Sequence, residues 1–366
     1  MYHFFGKLLT TAALVMNFAS AQTEYGVVQL PSSLAEAGTK VLGVHNVNPT
    51  TKAYLGFSEG PAVDSSGNLF FTEFDPSTNL KSTIWKVTPG GQASVFYYST
   101  EGSNGMEFDP EWHLVAAQVE ALMRFNADGS HTILAASGNG VDLKRINDLS
   151  IGTGGAMYFT NHATGNNVFF RSVDGKIKTL TGFTTPNGVE WIEEKKIVFV
   201  NFALPAGKVM KYKVNDDMSL SGGVEFASMN MPDGITADEQ GNLYVASYRE
   251  GAISVFDSTG KTLGKITLTG ANPSDKDQTG NTSNCSFGGE GNRTLYIAGD
   301  GGAYKVQLKV AGRRRPVSVS LLPRNHRWLA PLHTRYPAPT MVNSVGRILS
   351  PANGGTLAPG MLYFQR

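Results

Sequence analysis

Turns followed by short apolar runs recur along the chain at a near-constant interval. The stretches DSSGNLFFTE (64–73), DPEWHLVAAQ (109–118), GTGGAMYFTN (152–161), EEKKIVFVNF (193–202), DEQGNLYVAS (238–247) and EGNRTLYIAG (290–299) each place a polar turn before aromatic, β-branched and small apolar residues. That is the pattern of a hairpin leading into a strand. A second hairpin follows each one, as in IWKVTPGGQASVF (84–96) and LMRFNADGSHTIL (122–134). Taking Leu69, Leu114, Met157, Val198, Leu243 and Leu295 as equivalent, the spacings are 45, 43, 41, 45 and 52. Six units of four short strands at this period predict an all-β fold, a six-bladed β-propeller. A sandwich or simple barrel does not predict such a repeat. The last unit has room for two strands before Ala311, so TKVLGVHNV (39–47) is expected to complete it by pairing there.

Composition agrees with many turns and one large core. The chain has 366 residues, 42 of them glycine, with 41% hydrophobic and 17% charged positions. Its one cysteine, Cys285, cannot form an intrachain disulfide, so the fold must stand on packing. The start carries Lys7, an apolar run and then Ala19-Ser20-Ala21. It reads as a signal peptide over residues 1–21, which makes the protein secreted or periplasmic and gives no membrane span.

Net charge is +1, yet eight arginines and no Lys, Asp or Glu lie beyond residue 310, leaving −7 on the rest. Those arginines are scattered among prolines in a chain read as exported, so no nucleic-acid partner is expected. The domain reading is a signal peptide, a propeller over 22–310, and a linker with a basic tail over 311–366. A monomer is expected.

Rotation about a propeller axis brings equivalent positions of successive units to one point. Ten residues before each marker, eleven in the fourth unit, stand Glu59, Asn104, Asn147, Asn187, Asp233 and Cys285, with Asn284 just before the last. Carboxylate and amide oxygens without sulfur or imidazole suit a hard cation, Ca²⁺ ahead of Mg²⁺. The competing reading is that Asn and Asp merely cap turns here, which accounts for Asn104 but not for Glu59. Beside Glu59, Gly56–Gly60 spells G-x-S-x-G around Ser58. A nucleophile elbow needs a helix directly after it, whereas Pro61 and the next residues alternate like a hairpin.

On the segments SEGPAVDSSGNLFFTE, NGMEFDPEWHLVAA, RINDLSIGTGGAMYFTN, TPNGVEWI, MPDGITADEQGNLYVAS and NCSFGGEGNRTLYIAG, residues 50 to 310 resemble the SMP-30/gluconolactonase/LRE-like family of six-bladed propellers. The resemblance implies a divalent metal, usually Ca²⁺ with Zn²⁺, Mn²⁺ or Mg²⁺ as alternatives, held by Glu59, Asn187 and Asp233. Asn147 is then a further ligand or a substrate contact, and Arg145 reaches the substrate. It implies hydrolysis of a sugar-acid lactone, with Asp233 as general base. Asn104 and His162 are candidate substrate contacts, His162 standing where family members often place such groups or else in a surface loop. QVEALMRF (118–125) departs from the His-Gly-Asn-Arg-like run of many members. The chain end, NSVGRILSPANGGTLAPGMLYFQR, resembles a short secretion-sorting segment of the Por type, or is simply an irregular tail. The rival to the lactonase reading is a non-catalytic propeller whose rim binds a protein or glycan and whose calcium ties the units together.

Overall fold

The computed structural model describes residues 24–46, 55–75, 81–138, 141–162, 166–203, 207–268 and 281–318, with the backbone of Met341–Val342 and Ile348–Leu349. The signal segment 1–21 lies outside these residues. Two compact units divide at Leu321/Leu322. In the second, the described part is a two-residue antiparallel pair, Met341 opposite Leu349 and Val342 opposite Ile348.

The first unit is all-β, of propeller type, with three single-turn 3-10 segments among its described residues. Its strands pair antiparallel in groups of four. Leu55–Val63, Ser103–Phe108, Ile146–Ile151, Pro186–Ile192, Pro232–Ala237 and Thr282–Gly288 are the first strands of successive groups. The last group continues into Thr294–Gln307, and there Lys40–His45 pairs with it, Val41 opposite Val306, as the sequence led us to expect. Glu24–Gln29 then adds the outermost strand against Lys40–His45. The same strand also bonds to Thr262–Leu268 of the preceding group, so the chain start stitches two groups together.

Alternation along the strands explains the packing. In Leu114–Gln118, Leu114 and Ala116 join one apolar cluster with Phe70, Phe108 and Phe125, while Val115 and Ala117 join another with Ile151, Phe159 and Phe169. Each sheet is therefore buried on both faces, which is why the run reads as almost continuously apolar. Six such clusters lie between consecutive groups. The last, with Leu55, Leu69, Phe71 and Ala303, joins the final group to the first. Each fully buried Leu, Val, Ile or Phe contributes about 1.5–3 kcal/mol, which lets the fold dispense with disulfides.

Candidate active site

Every first strand carries one more residue than the partner it pairs with. The register shifts between Glu59 and Ala62, Ser103 and Met106, Ile146 and Leu149, Pro186 and Val189, Pro232 and Ile235, and Thr282 and Asn284. Such bulges bend a strand and re-aim its side chains. Here they turn Glu59, Asn104, Asn147, Asn187 and Asp233 into one cavity of about 860 Å³. Arg145 and His162 line the same cavity, so all seven residues singled out in the sequence are brought together.

The sixth position is different from the expected one. Thr282 pairs with Gly299 as Ser58 pairs with Glu73, which makes Ser283, not Cys285, the equivalent of Glu59. This hairpin carries one more strand pair than the first and third, Gly288 opposite Thr294, which misplaces a count made back from Leu295. Cys285 is buried, its Sγ 3.4 Å from the Tyr244 carbonyl, and burial pushes the thiol pKa up, so it is no nucleophile. Ser58 is fully buried within strand Leu55–Val63 and does not line the cavity.

The next residue inward forms a second layer: Gly60, Gly105, Asp148, Gly188, Gly234 and Asn284. The glycines make room for the two exceptions. A Cβ on Gly105 would lie 2.3 Å from Asp148 Oδ1, and one on Gly234 would lie 2.1 Å from the Asn284 side chain. Asp148 is the site residue that sequence reasoning missed. Its signal was a carboxylate in a column otherwise mostly glycine.

Glu59 and Asp233 line the cavity, and Asp148 lies one layer deeper, buried between them and the space at the opposite end. Glu59 is 3%, Asp148 5% and Asp233 6% exposed. Burial, then Asp233 and Asp148, raise the Glu59 pKa well above the usual carboxylate range, although the Gly60 N–H and the Asn284 amide donate to it. Burial, then Asp148, does the same to Asp233, and burial pushes Asp148 up to about 7. Like charges in low dielectric cannot all ionise without a cation. No salt bridge reaches any of the three among the described residues.

The donor set fits a hard divalent ion only if amides help. Among the described residues no group of three or more His, Cys, Asp or Glu could hold an ion by itself. Asn187 supplies what is missing: its amide donates to Asp233, while its Oδ1 is buried and without a partner. Asn104 Oδ1 is likewise buried and unpartnered. A buried acceptor left without a donor costs about 1–3 kcal/mol, which a bound cation would offset.

Arg145 holds a strained backbone. Two residues before the layer position the chain is left-handed at Gly102 (φ 86°), Arg145 (φ 55°), Thr185 (φ 47°) and Met231 (φ 39°). Glycine meets this turn freely, whereas arginine costs about 1–3 kcal/mol there. The turn is held by Arg145 N–H donating to the Val119 carbonyl at 2.5 Å and by His162 N–H donating to the Arg145 carbonyl at 3.0 Å. The exposed guanidinium lines the cavity. Burial, with Arg145 adding to it, lowers the His162 pKa despite its bond to the Pro186 carbonyl, so the imidazole is neutral at pH 7.

The profile of the SMP-30/Gluconolactonase/LRE-like region matches residues 57–299, which hold the six first strands almost entirely. The chain belongs to this family. A gluconolactonase of Zymomonas mobilis is 26% identical over 308 residues, covering 70% of this chain and 80% of that one. A pentonolactonase of Haloferax volcanii is 24% identical over 167 residues, 43% of this chain and 54% of its own. In fold, a gluconolactonase of Xanthomonas campestris superposes with a TM-score of 0.65 at 21% identity, covering 78% and 97% of the two chains. Regucalcin of Agrobacterium tumefaciens, a calcium-binding protein, does so with a TM-score of 0.58 at 16% identity, covering 72% and 94%.

The family resemblance ends near residue 300, and the segment after it builds the opposite end of the channel. Residues 311–318, read from the sequence as the start of a linker, cross that end. Arg313 donates to Glu190, to Glu107 at 3.3 Å and to Ser150 at 3.2 Å. Its backbone N–H reaches the Ala237 carbonyl, and Val317 accepts from Gly154. Arg315 lies over the Trp112 ring at 3.8 Å and donates to the Phe108 carbonyl at 2.8 Å. Burial works against the Arg313 charge, but Glu190 and Glu107 more than offset it and hold the guanidinium protonated. The second channel mouth, a space of about 70 Å³, is closed around this residue.

Proposed function

We propose that this chain is a six-bladed β-propeller hydrolase that opens a sugar-acid lactone at a divalent-cation site in its central channel. The observation that carries the reading is the pair Glu59 and Asp233 in one cavity with the unpartnered Asn187 oxygen and an arginine in a strained turn, with Asp148 buried one layer deeper. The cyclic order of the six apolar clusters supports six blades, and the names of the curated relatives support the reaction. Export rests on residues 1–21, and N-terminal sequencing of the mature protein would check it.

Glu59, Asn187 and Asp233, with Asn147, would hold the ion, Ca²⁺ first by its preference for oxygen, and when bound it polarises the lactone carbonyl. The Asp233 carboxylate takes a proton from the water that attacks the carbonyl carbon. Arg145 donates to the carbonyl oxygen as negative charge develops, or to a neighbouring hydroxyl. Asn104, Asn147 and His162 orient the ring through its hydroxyls. The ring C–O bond then breaks, and the alkoxide regains the proton from Asp233 to give the open hydroxy acid. A neutral His162 can accept a hydrogen bond there without adding charge.

Proton release from D-glucono-1,5-lactone, measured on chelated protein with Ca²⁺ added back and on Asp233→Asn, tests this. Activity restored by the ion and lost in the variant is expected. If neither sugar lactones nor simple alkyl lactones turn over above buffer while calcium still raises the melting temperature, the ion only ties the blades and the enzyme reading fails.

A further inference from the structure

The wall of the cavity combines polar groups with an aromatic cluster, and Asp75, next to Phe74, also lines it. Asn104, Arg145, Asn147 and His162, from the second and third groups of strands, give it hydrogen-bonding atoms. Phe57 and Phe74 of the first group and Tyr248 of the fifth give it aromatic surface. Phe57 stacks on Phe74 with centroids 6.1 Å apart, and meets Tyr248 edge-on at 5.5 Å. Tyr248 is 36% exposed, although an aromatic ring gains by burial. Between them the sixth group has the small, fully buried Ser283 at its layer position, and Phe57 and Tyr248 are in direct contact.

A lactone with hydroxyls all round its ring uses the polar groups of this cavity but not its aromatic cluster. Phe57 and Phe74 have no side-chain donor or acceptor, and hydroxyls turned toward them would lose water without replacement. A six-carbon lactone also leaves much of 860 Å³ unfilled, a volume near the upper end of the roughly 300–1,000 Å³ that holds larger ligands. The ring contacts already fix the wall, so little order is lost when something rests on it.

We propose that the preferred substrate is a lactone with one polar edge and one apolar substituent, an alkyl or aryl group on the ring carbon next to the ring oxygen. The polar edge faces Arg145 and Asn147, and the substituent lies on Phe57, Phe74 and Tyr248. The inference rests on the lactone-hydrolysing reading and narrows its substrate class. The bond broken and the proton path are the same as for a sugar lactone.

The test is a chain-length series on the full chain with Ca²⁺ present. Hydrolysis of δ-valerolactone, δ-hexalactone, δ-octalactone and δ-decalactone is followed by proton release, beside D-glucono-1,5-lactone. Binding of the matching δ-lactams, which are not turned over, is followed by calorimetry. Both kcat/KM and lactam affinity should rise about fourfold per methylene over the first few carbons, the increment of burying one CH₂ group. In Tyr248→Ala, and separately in Phe57→Ala, the rise per methylene should fall toward onefold; comparing slopes within each variant separates this from a general loss of activity. A flat series in both readouts, or gluconolactone outpacing every alkyl lactone, overturns the proposal. Lactam affinity that climbs while no lactone is hydrolysed keeps the apolar wall and sinks the hydrolase reading; hydrolysis with both series flat does the reverse.

Discussion

The two ends of the channel meet the same electrostatic problem in opposite ways. At the closed end Glu190, 4% exposed, and Glu107 are satisfied by Arg313 of the same chain, with Ser150 and the Ile151 N–H completing the set. At the open end Glu59 and Asp233, with Asp148 buried between the two ends, receive amide and backbone donors but no side-chain cation among the described residues. A fixed guanidinium makes a site permanent, because its charge cannot leave or titrate. Carboxylates left without one keep a place for an exchangeable ion, at a cost in the stability of the ion-free protein. Nearness to the axis therefore does not distinguish structural from functional carboxylates; the source of the counter-charge does.

The sharpest way to test that contrast is to remove charge from each end in turn. Asp233→Asn should lower kcat/KM for lactone hydrolysis by about 10²–10⁴-fold while the circular dichroism spectrum and cooperative melting survive. An unfolded variant would mean that the open end is structural too.

Arg313→Met should leave Glu107 and Glu190 buried without a partner and destabilise the fold by about 3–5 kcal/mol, read from urea unfolding. Replacing both carboxylates by Gln in the same variant should recover most of the loss. A change within about 0.5 kcal/mol for Arg313→Met alone would show that the strap merely lies on the surface.

Calcium separates the ends from another side. At a hundredfold excess over its dissociation constant it should stabilise the wild type by about 2.7 kcal/mol, and Glu59→Gln should abolish that gain. Arg313→Met should keep it, since its lost cation belongs to the other end. Loss of the calcium effect in Arg313→Met would merge the two ends into one site.

The effect that is smallest per step is on pH. Burial pushes the Glu190 pKa up to about 7 from 4.5, against the pull of Arg313. The folded state then holds this proton to higher pH than the unfolded chain. Its contribution is complete below about 4.5 and lost as the pH rises through about 7, with a slope of at most about 1.4 kcal/mol per pH unit. Denaturation of chelated protein across that window should show this slope added to that of the other raised carboxylates, Asp148 among them, and Glu190→Gln should reduce the total by the share of Glu190.

Much of the open end was legible in the sequence, because it is repeated. A turn, an oxygen-bearing residue and a β-rich run recur six times, and repetition makes a column visible even when each copy is weak. Glu59, Asn147, Asn187 and Asp233 follow from that column. Cys285 shows where counting fails: the extra pair of Gly288 with Thr294 adds residues to one hairpin, and only the pairing of Thr282 with Gly299 shows that Ser283 takes the place. The aromatic wall was illegible for a different reason. Phe57 and Tyr248 lie in different units and outside the repeated column, and each alone looks like any strand-end aromatic.

By itself, then, the sequence determined the repeated architecture and most of the ring of oxygen-bearing side chains, since both are written locally in the units. The tertiary structure decided the closed end, the depth of Asp148 and the wall of the cavity. Arg313 meets Glu107 across 206 positions of chain and Glu190 across 123. No local pattern encodes contacts of that range; they exist only once the units have closed around a common axis and the residues after the last one cross it.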